Sequence, residues 1–85
     1  MKAEIRKLLG SDKLIIGSDR VLKMLRNNEL KQVILASNVK REMHDDIVTY
    51  SKQNNIEVVQ LDVPNEELGI YCKKPFHISV LGIRS

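Results

Sequence analysis

Apolar side chains along this chain recur in two rhythms. The runs Leu14-Ile15-Ile16, Val33-Ile34-Leu35-Ala36 and Val58-Val59-Gln60-Leu61 are too short for buried helices and rich in branched residues, so they read as interior strands over 13–16, 32–36 and 56–63. A fourth strand over 76–83 takes its apolar character from Ile78, Val80, Leu81 and Ile83. Helical spacing fills the intervals. Ile5, Leu8 and Leu9 predict a helix over 2–9 stopped by Gly10, and Val21, Leu22, Met24 and Leu25 share one arc of a helix over 19–27. Met43, Ile47, Tyr50 and Asn54 fall on one face of a third helix over 41–54. Pro64-Asn65-Glu66-Glu67 opens a short fourth helix that Lys73-Lys74-Pro75 ends, because the residue before a proline avoids helical geometry. Helix and strand therefore alternate four times. That order predicts an α/β fold, a three-layer α/β/α sandwich around a mixed sheet of about four strands.

Gly17-Ser18-Asp19-Arg20 stands where the first strand turns into the second helix. Unpaired backbone N–H groups gather at a helix start, and the helix dipole favours an anion there. Arg20, Lys23 and Arg26 share the arc opposite the apolar one, so the helix offers one packing face and one cationic face; a solvated basic face is the plainer account of the same three residues. In crossover folds ligands meet the loops beyond the strands' carboxyl ends, which are here 17–20, 37–41 and 62–67.

Eighty-five residues make one small domain, spanning 1–85, with room for a single core. Hydrophobic residues at 42% and charged residues at 29% describe a soluble globular chain, and no apolar run approaches the roughly 20 residues of a membrane span. The first nine residues alternate charge with apolar side chains and read as part of the fold rather than a signal peptide. A single cysteine, Cys72, fits a reducing compartment and a cytoplasmic location. A net charge of +3 permits an anionic partner without demanding one. With only Tyr50, Tyr71 and Phe76 as aromatics, a broad base-stacking platform is excluded.

Neither G-x-G-x-x-G nor G-x-x-x-x-G-K-[ST] occurs, which argues against a nucleotide cofactor. His44-Asp45-Asp46 contains metal-ligand types, but consecutive helical residues point apart, so no metal is expected. His77 reads as a partly buried structural histidine of the last strand, Cys72 as a packed inert thiol, and Glu66-Glu67 as acids suited to a helix start. No nucleophile, base and orienter come together, so the chain is not expected to be an enzyme and no small-molecule substrate is implied. Binding remains, carried by the cationic helix face and by Lys73-Lys74-Pro75-Phe76.

Gly17-Ser18-Asp19-Arg20-Val21-Leu22-Lys23, Val33-Ile34-Leu35-Ala36-Ser37-Asn38, and Glu67-Leu68-Gly69 followed by Lys74-Pro75-Phe76 together resemble one family. It is the archaeal and eukaryotic large-subunit ribosomal protein thirty-e family, within the kink-turn-binding ribosomal superfamily. The resemblance runs from about residue 13 to residue 83, with the segments in the family's order. It implies a non-enzymatic, RNA-binding component of the ribosome that holds a kink-turn, a sharply bent RNA with stacked sheared G·A pairs. Neighbouring ribosomal proteins would be further partners.

By position, the resemblance implies that Gly17 and Ser18 allow close backbone approach, Asp19 and Arg20 face base edges or phosphates, and Lys23 contacts RNA from the helix's first turn. Asn38 matches a polar residue after the second strand, Leu68 and Gly69 match a loop packed against an extruded nucleotide, and Phe76 matches an aromatic that stacks on a base. Lys73 and Lys74 add charge beside it. The chain departs from the family where Asp19 replaces the usual asparagine, where Lys40-Arg41 replace prolines, and where Lys73 replaces a glycine. Asp19 accepts but does not donate hydrogen bonds, which shifts preference toward guanine donors. The departures, with an end at Ile83-Arg84-Ser85 short of the family's polar tail, also fit a paralogue in another ribonucleoprotein, for RNA modification or processing. A protein-binding module using the surface around Leu68, Ile70 and Tyr71 is the alternative of a different class.

Overall fold

A computed structural model describes the backbone of residues 2–85 and the side chains from Ile5 onward. Eight elements alternate as expected: α1 (Lys2–Leu8), β1 (Leu14–Ile16), α2 (Ser18–Arg26), β2 (Leu30–Leu35), α3 (Arg41–Gln53), β3 (Glu57–Gln60), α4 (Asn65–Tyr71) and β4 (Val80–Arg84). The four strands form one mixed sheet in the order β1-β4-β2-β3. β4 runs antiparallel to both of its neighbours, while β2 and β3 are parallel. No described helix is long and apolar enough to cross a membrane.

Helices cover both faces, which gives two apolar clusters separated by the sheet. One joins Ile5 of α1 and Leu68 of α4 to Leu14, Ile34, Leu81 and Ile83. The other joins Val21 and Leu25 of α2 and Ile47 of α3 to Ile15, Val33, Leu35 and Val80. Consecutive residues Val33, Ile34 and Leu35 thus alternate between clusters, as the two-residue period of a strand requires. A strand buried on both faces is why β2 reads as an unbroken apolar run.

Left-handed residues close the helices. Asn28, Asn55 and Lys73, with φ of 56°, 55° and 59°, follow α2, α3 and α4, and Gly10, with φ of 82°, follows α1. Glycine and asparagine tolerate this geometry, and lysine does not do so readily. Three backbone bonds mark the motif: Glu29 N–H to Met24 at 3.0 Å, Ile56 N–H to Ser51 at 2.9 Å, and Lys74 N–H to Gly69 at 3.0 Å.

Three strand limits differ from the expected ones by two residues or more. β2 begins at Leu30, and β3 stops at Gln60, beyond which Val63 turns its carbonyl to the Ser37 amide. The larger correction concerns the last strand, which starts at Val80 rather than residue 76. Ile78 donates its N–H to the Asn65 carbonyl at 3.1 Å, which draws 76–78 toward α4 and out of the ladder, while Ser79 still accepts the Ala36 N–H at 2.9 Å. The apolar pattern of that stretch is genuine, since Ile78 is buried, but its backbone is committed to a helix end instead of a strand.

Candidate nucleic-acid interface

β1, β2 and β3 end at the same edge of the sheet, where β4 begins, so four connections converge there. β1 passes directly into Gly17, whose φ of 112° and ψ of 141° belong to a region that only glycine populates readily. A Cβ at Gly17 would meet nothing within 4 Å, so the glycine answers backbone geometry and leaves the space in front of it open. Its N–H donates to Val80 at 3.2 Å, and its carbonyl accepts from Val21 at 3.0 Å to begin α2. No side chain caps this start, and the first N–H groups, from Ser18, Asp19 and Arg20, have no partner within the helix. Arg20 and Lys23 are exposed, while Val21 and Leu25 are buried, as the wheel predicts.

Opposite this wall stands the segment from Lys74 to Ser79, which long-range contacts hold in place. Gly69 lies inside α4, where a Cβ would overlap the carbonyl oxygen of Phe76. Glycine in a helix interior costs about 1 kcal/mol relative to alanine, and here it lets the Phe76 backbone lie against the helix. Asn38 holds the other end. Its Oδ1 accepts from the Asn65 N–H at 2.8 Å and its Nδ2 donates to Asn65 Oδ1 at 3.1 Å. Asn65 in turn takes the Ile78 N–H on its carbonyl and reaches Ser79 Oγ at 3.4 Å.

Between the walls lies a cleft of about 420 Å³, bordered by Gly17, Ser18 and Arg20 on one side and Lys74, Phe76 and His77 on the other. Phe76 is 52% exposed although it is a large apolar ring. Open amides at a helix start, two cations and an exposed aromatic suit a ligand that is anionic along its backbone and flat at its bases. Among the described residues no group of three metal-ligating side chains assembles.

Five of the eleven candidate residues therefore meet across one cleft: Gly17, Ser18, Arg20, Lys74 and Phe76. Asp19 and Lys23 lie beside it on α2, both exposed, and Lys73 stands exposed one residue before Lys74. Asn38 is at the same edge, but its amide is engaged with Asn65. Leu68 and Gly69 belong to a helix and not to a loop; Leu68 is 1% exposed in the core, and Gly69 is buried under the Phe76 backbone. Gly69 supports the cleft wall by packing, and Leu68 belongs to the core. The apolar surface proposed around Leu68, Ile70 and Tyr71 reduces to Ile70, which is 75% exposed, because Tyr71 is half-buried with the Arg6 guanidinium 4.6 Å above its ring.

His77 is exposed on the cleft wall rather than partly buried in a strand. Its place follows from the late start of β4, which no local pattern announces. Asn65 was legible only as a helix-start residue; its pairing with Asn38 joins residues far apart in sequence and left no signal. Cys72 is buried, and burial pushes its thiol pKa up against the lowering influence of Lys74, so the thiol is poorly reactive.

A family model described as the ribosomal protein L7Ae/L30e/S12e/Gadd45 family matches residues 1–85. The chain belongs to this family. It is 39% identical over 82 residues to the large ribosomal subunit protein eL30 of Sulfurisphaera tokodaii, covering 96% of this chain and 77% of that one. The eL30 proteins of Sulfolobus acidocaldarius and Methanocaldococcus jannaschii are each 38% identical, over 96% and 91% of this chain and 79% and 70% of theirs. Each is named as a ribosomal-subunit protein, which agrees with a non-enzymatic chain. Among solved structures, a Bacillus halodurans protein of unknown function superposes with a TM-score of 0.87 at 19% identity, covering 99% of this chain and 83% of its own. The Giardia lamblia 15.5kD RNA binding protein superposes at 0.79 with 14% identity, covering 99% and 70%. These two likenesses establish the α/β fold that the L7Ae/L30e chain shares with them.

Proposed function

We propose that this chain is an RNA-binding structural component of the large ribosomal subunit, and that it holds a kink-turn-like bent rRNA in the cleft between the Gly17 turn and the Lys74–Ser79 segment. Family membership and the names of the eL30 relatives support the ribosomal assignment. The observation that carries the site is the meeting of uncapped helix amides and Arg20 with Lys74 and exposed Phe76 across one cleft. RNA read at a bend offers splayed bases and closely spaced phosphates, which open amides, a few cations and one ring can match. A net charge of +3 is then sufficient. The ribosome places the protein in the cytoplasm.

Titration of a G·A-containing bent RNA against the same RNA with those pairs replaced by Watson–Crick pairs tests the reading. Preference for the bent RNA is expected, and neutralising about four phosphates gives log affinity a slope of roughly −3 to −4 against log salt. Equal affinity for the two RNAs, or binding that ignores salt, would refute it.

A further inference from the structure

The cleft does not end at Lys74. A second groove of about 460 Å³ shares Ile16 and Lys74 with it and runs between the end of α1 and the end of α4, past Gly10, Ser11 and Lys73. We propose that this groove takes the sugar-phosphate backbone of the duplex stem that leaves the bend, with Lys73 as its phosphate contact. The inference rests on the RNA-binding reading above and extends its footprint across the α1–α4 edge.

Three observations carry it. The first is continuity: Ile16 and Lys74 stand in the walls of both the Gly17 cleft and this groove. The second is charge, because Lys73 and Lys74 border the groove, no carboxylate does, and neither lysine is in an ion pair among the described residues. On the far flank of Lys73 the neighbouring cavity carries the Glu67 carboxylate beside Arg6, so the groove past Gly10 is the flank of Lys73 that lacks a carboxylate. The third is the conformation of Lys73. At φ of 59° it occupies the turn position where α1 uses Gly10, and α2 and α3 use Asn28 and Asn55. A left-handed lysine is less favourable there than glycine, and what it brings in exchange is a positive charge at the turn. The opposing rim is accessible as well, since a Cβ at Gly10 would meet nothing within 4 Å.

The test compares the full chain with Lys73→Gly on two RNAs, the bent motif with minimal stems and the same motif with one stem extended by a helical turn. Glycine suits the left-handed turn, so the variant folds. The parent should bind the extended RNA about three- to ten-fold tighter than the minimal one, and Lys73→Gly should abolish that gain and lower the salt slope on the extended RNA by about 1. Lys73→Arg should retain the gain. If the parent binds both RNAs equally, or the variant keeps the full gain, the groove is not part of the footprint and the cleft reading still stands. If the parent binds neither RNA, the RNA reading fails and the groove with it.

Discussion

The two walls of the cleft are built in different ways. At Gly17 the geometry is local: a buried strand, one residue at φ of 112° with open space before it, and a helix start with no side-chain cap. At Lys74–Ser79 the geometry is imposed from a distance, by Gly69 beneath Phe76 and by Asn38 through Asn65. Two glycines show the contrast. Gly17 has room for a side chain but not the backbone, and Gly69 has ordinary helical backbone but no room. One wall is therefore a property of its own residues, and the other stands only while the core beneath it is intact.

Gly69→Ala breaks the comparison most severely. Overlap with a backbone carbonyl costs about 3 kcal/mol, and the better helix propensity of alanine returns about 1 kcal/mol, leaving a net loss of about 2 kcal/mol in denaturant unfolding. RNA affinity should fall with it, because the Phe76 wall shifts while the Gly17 wall does not. An unchanged unfolding midpoint would show that the wall is not propped by this contact.

Phe76→Ala separates ligand binding from folding. The ring is half-exposed, so stability should change little, whereas loss of a base-stacking partner should weaken RNA binding by about 1.5 kcal/mol, roughly ten-fold. A smaller effect belongs to Asn38→Ala, which removes the acceptor of the Asn65 N–H and should cost about 1 kcal/mol. Its signature is regional: amide exchange of Ile78 should accelerate and that of Val21 should not. Asp19→Asn should act least, raising RNA affinity only a few-fold at low salt and less at high salt, as expected for an exposed charge screened by ions.

The same contrast decides what the sequence made legible. Leu-Ile-Ile followed by Gly-Ser-Asp announces the first wall, because strand, hinge and helix start are all local signals. Element order and both covered faces of the sheet followed from periodicity in the same way. The second wall was misread where distant partners override local pattern: Phe76 to Ser79 carries strand-like apolar residues, yet the Asn65 carbonyl claims the Ile78 amide. Leu68 and Gly69 were placed by resemblance in a loop against the ligand, whereas burial puts them in α4, Gly69 as a support of the wall and Leu68 in the core. A glycine inside an otherwise helical pattern was the available hint, since its propensity cost calls for a packing reason.

The most direct measurement is amide chemical-shift mapping of the full chain during titration with a G·A-containing bent RNA. The account predicts that Gly17 to Arg20 and Lys74 to Ser79 shift together at one stoichiometric end point, while Glu57 to Gln60 on the far edge of the sheet stay in place. Shifts confined to one wall, or centred on the far edge, would contradict a ligand held between the two.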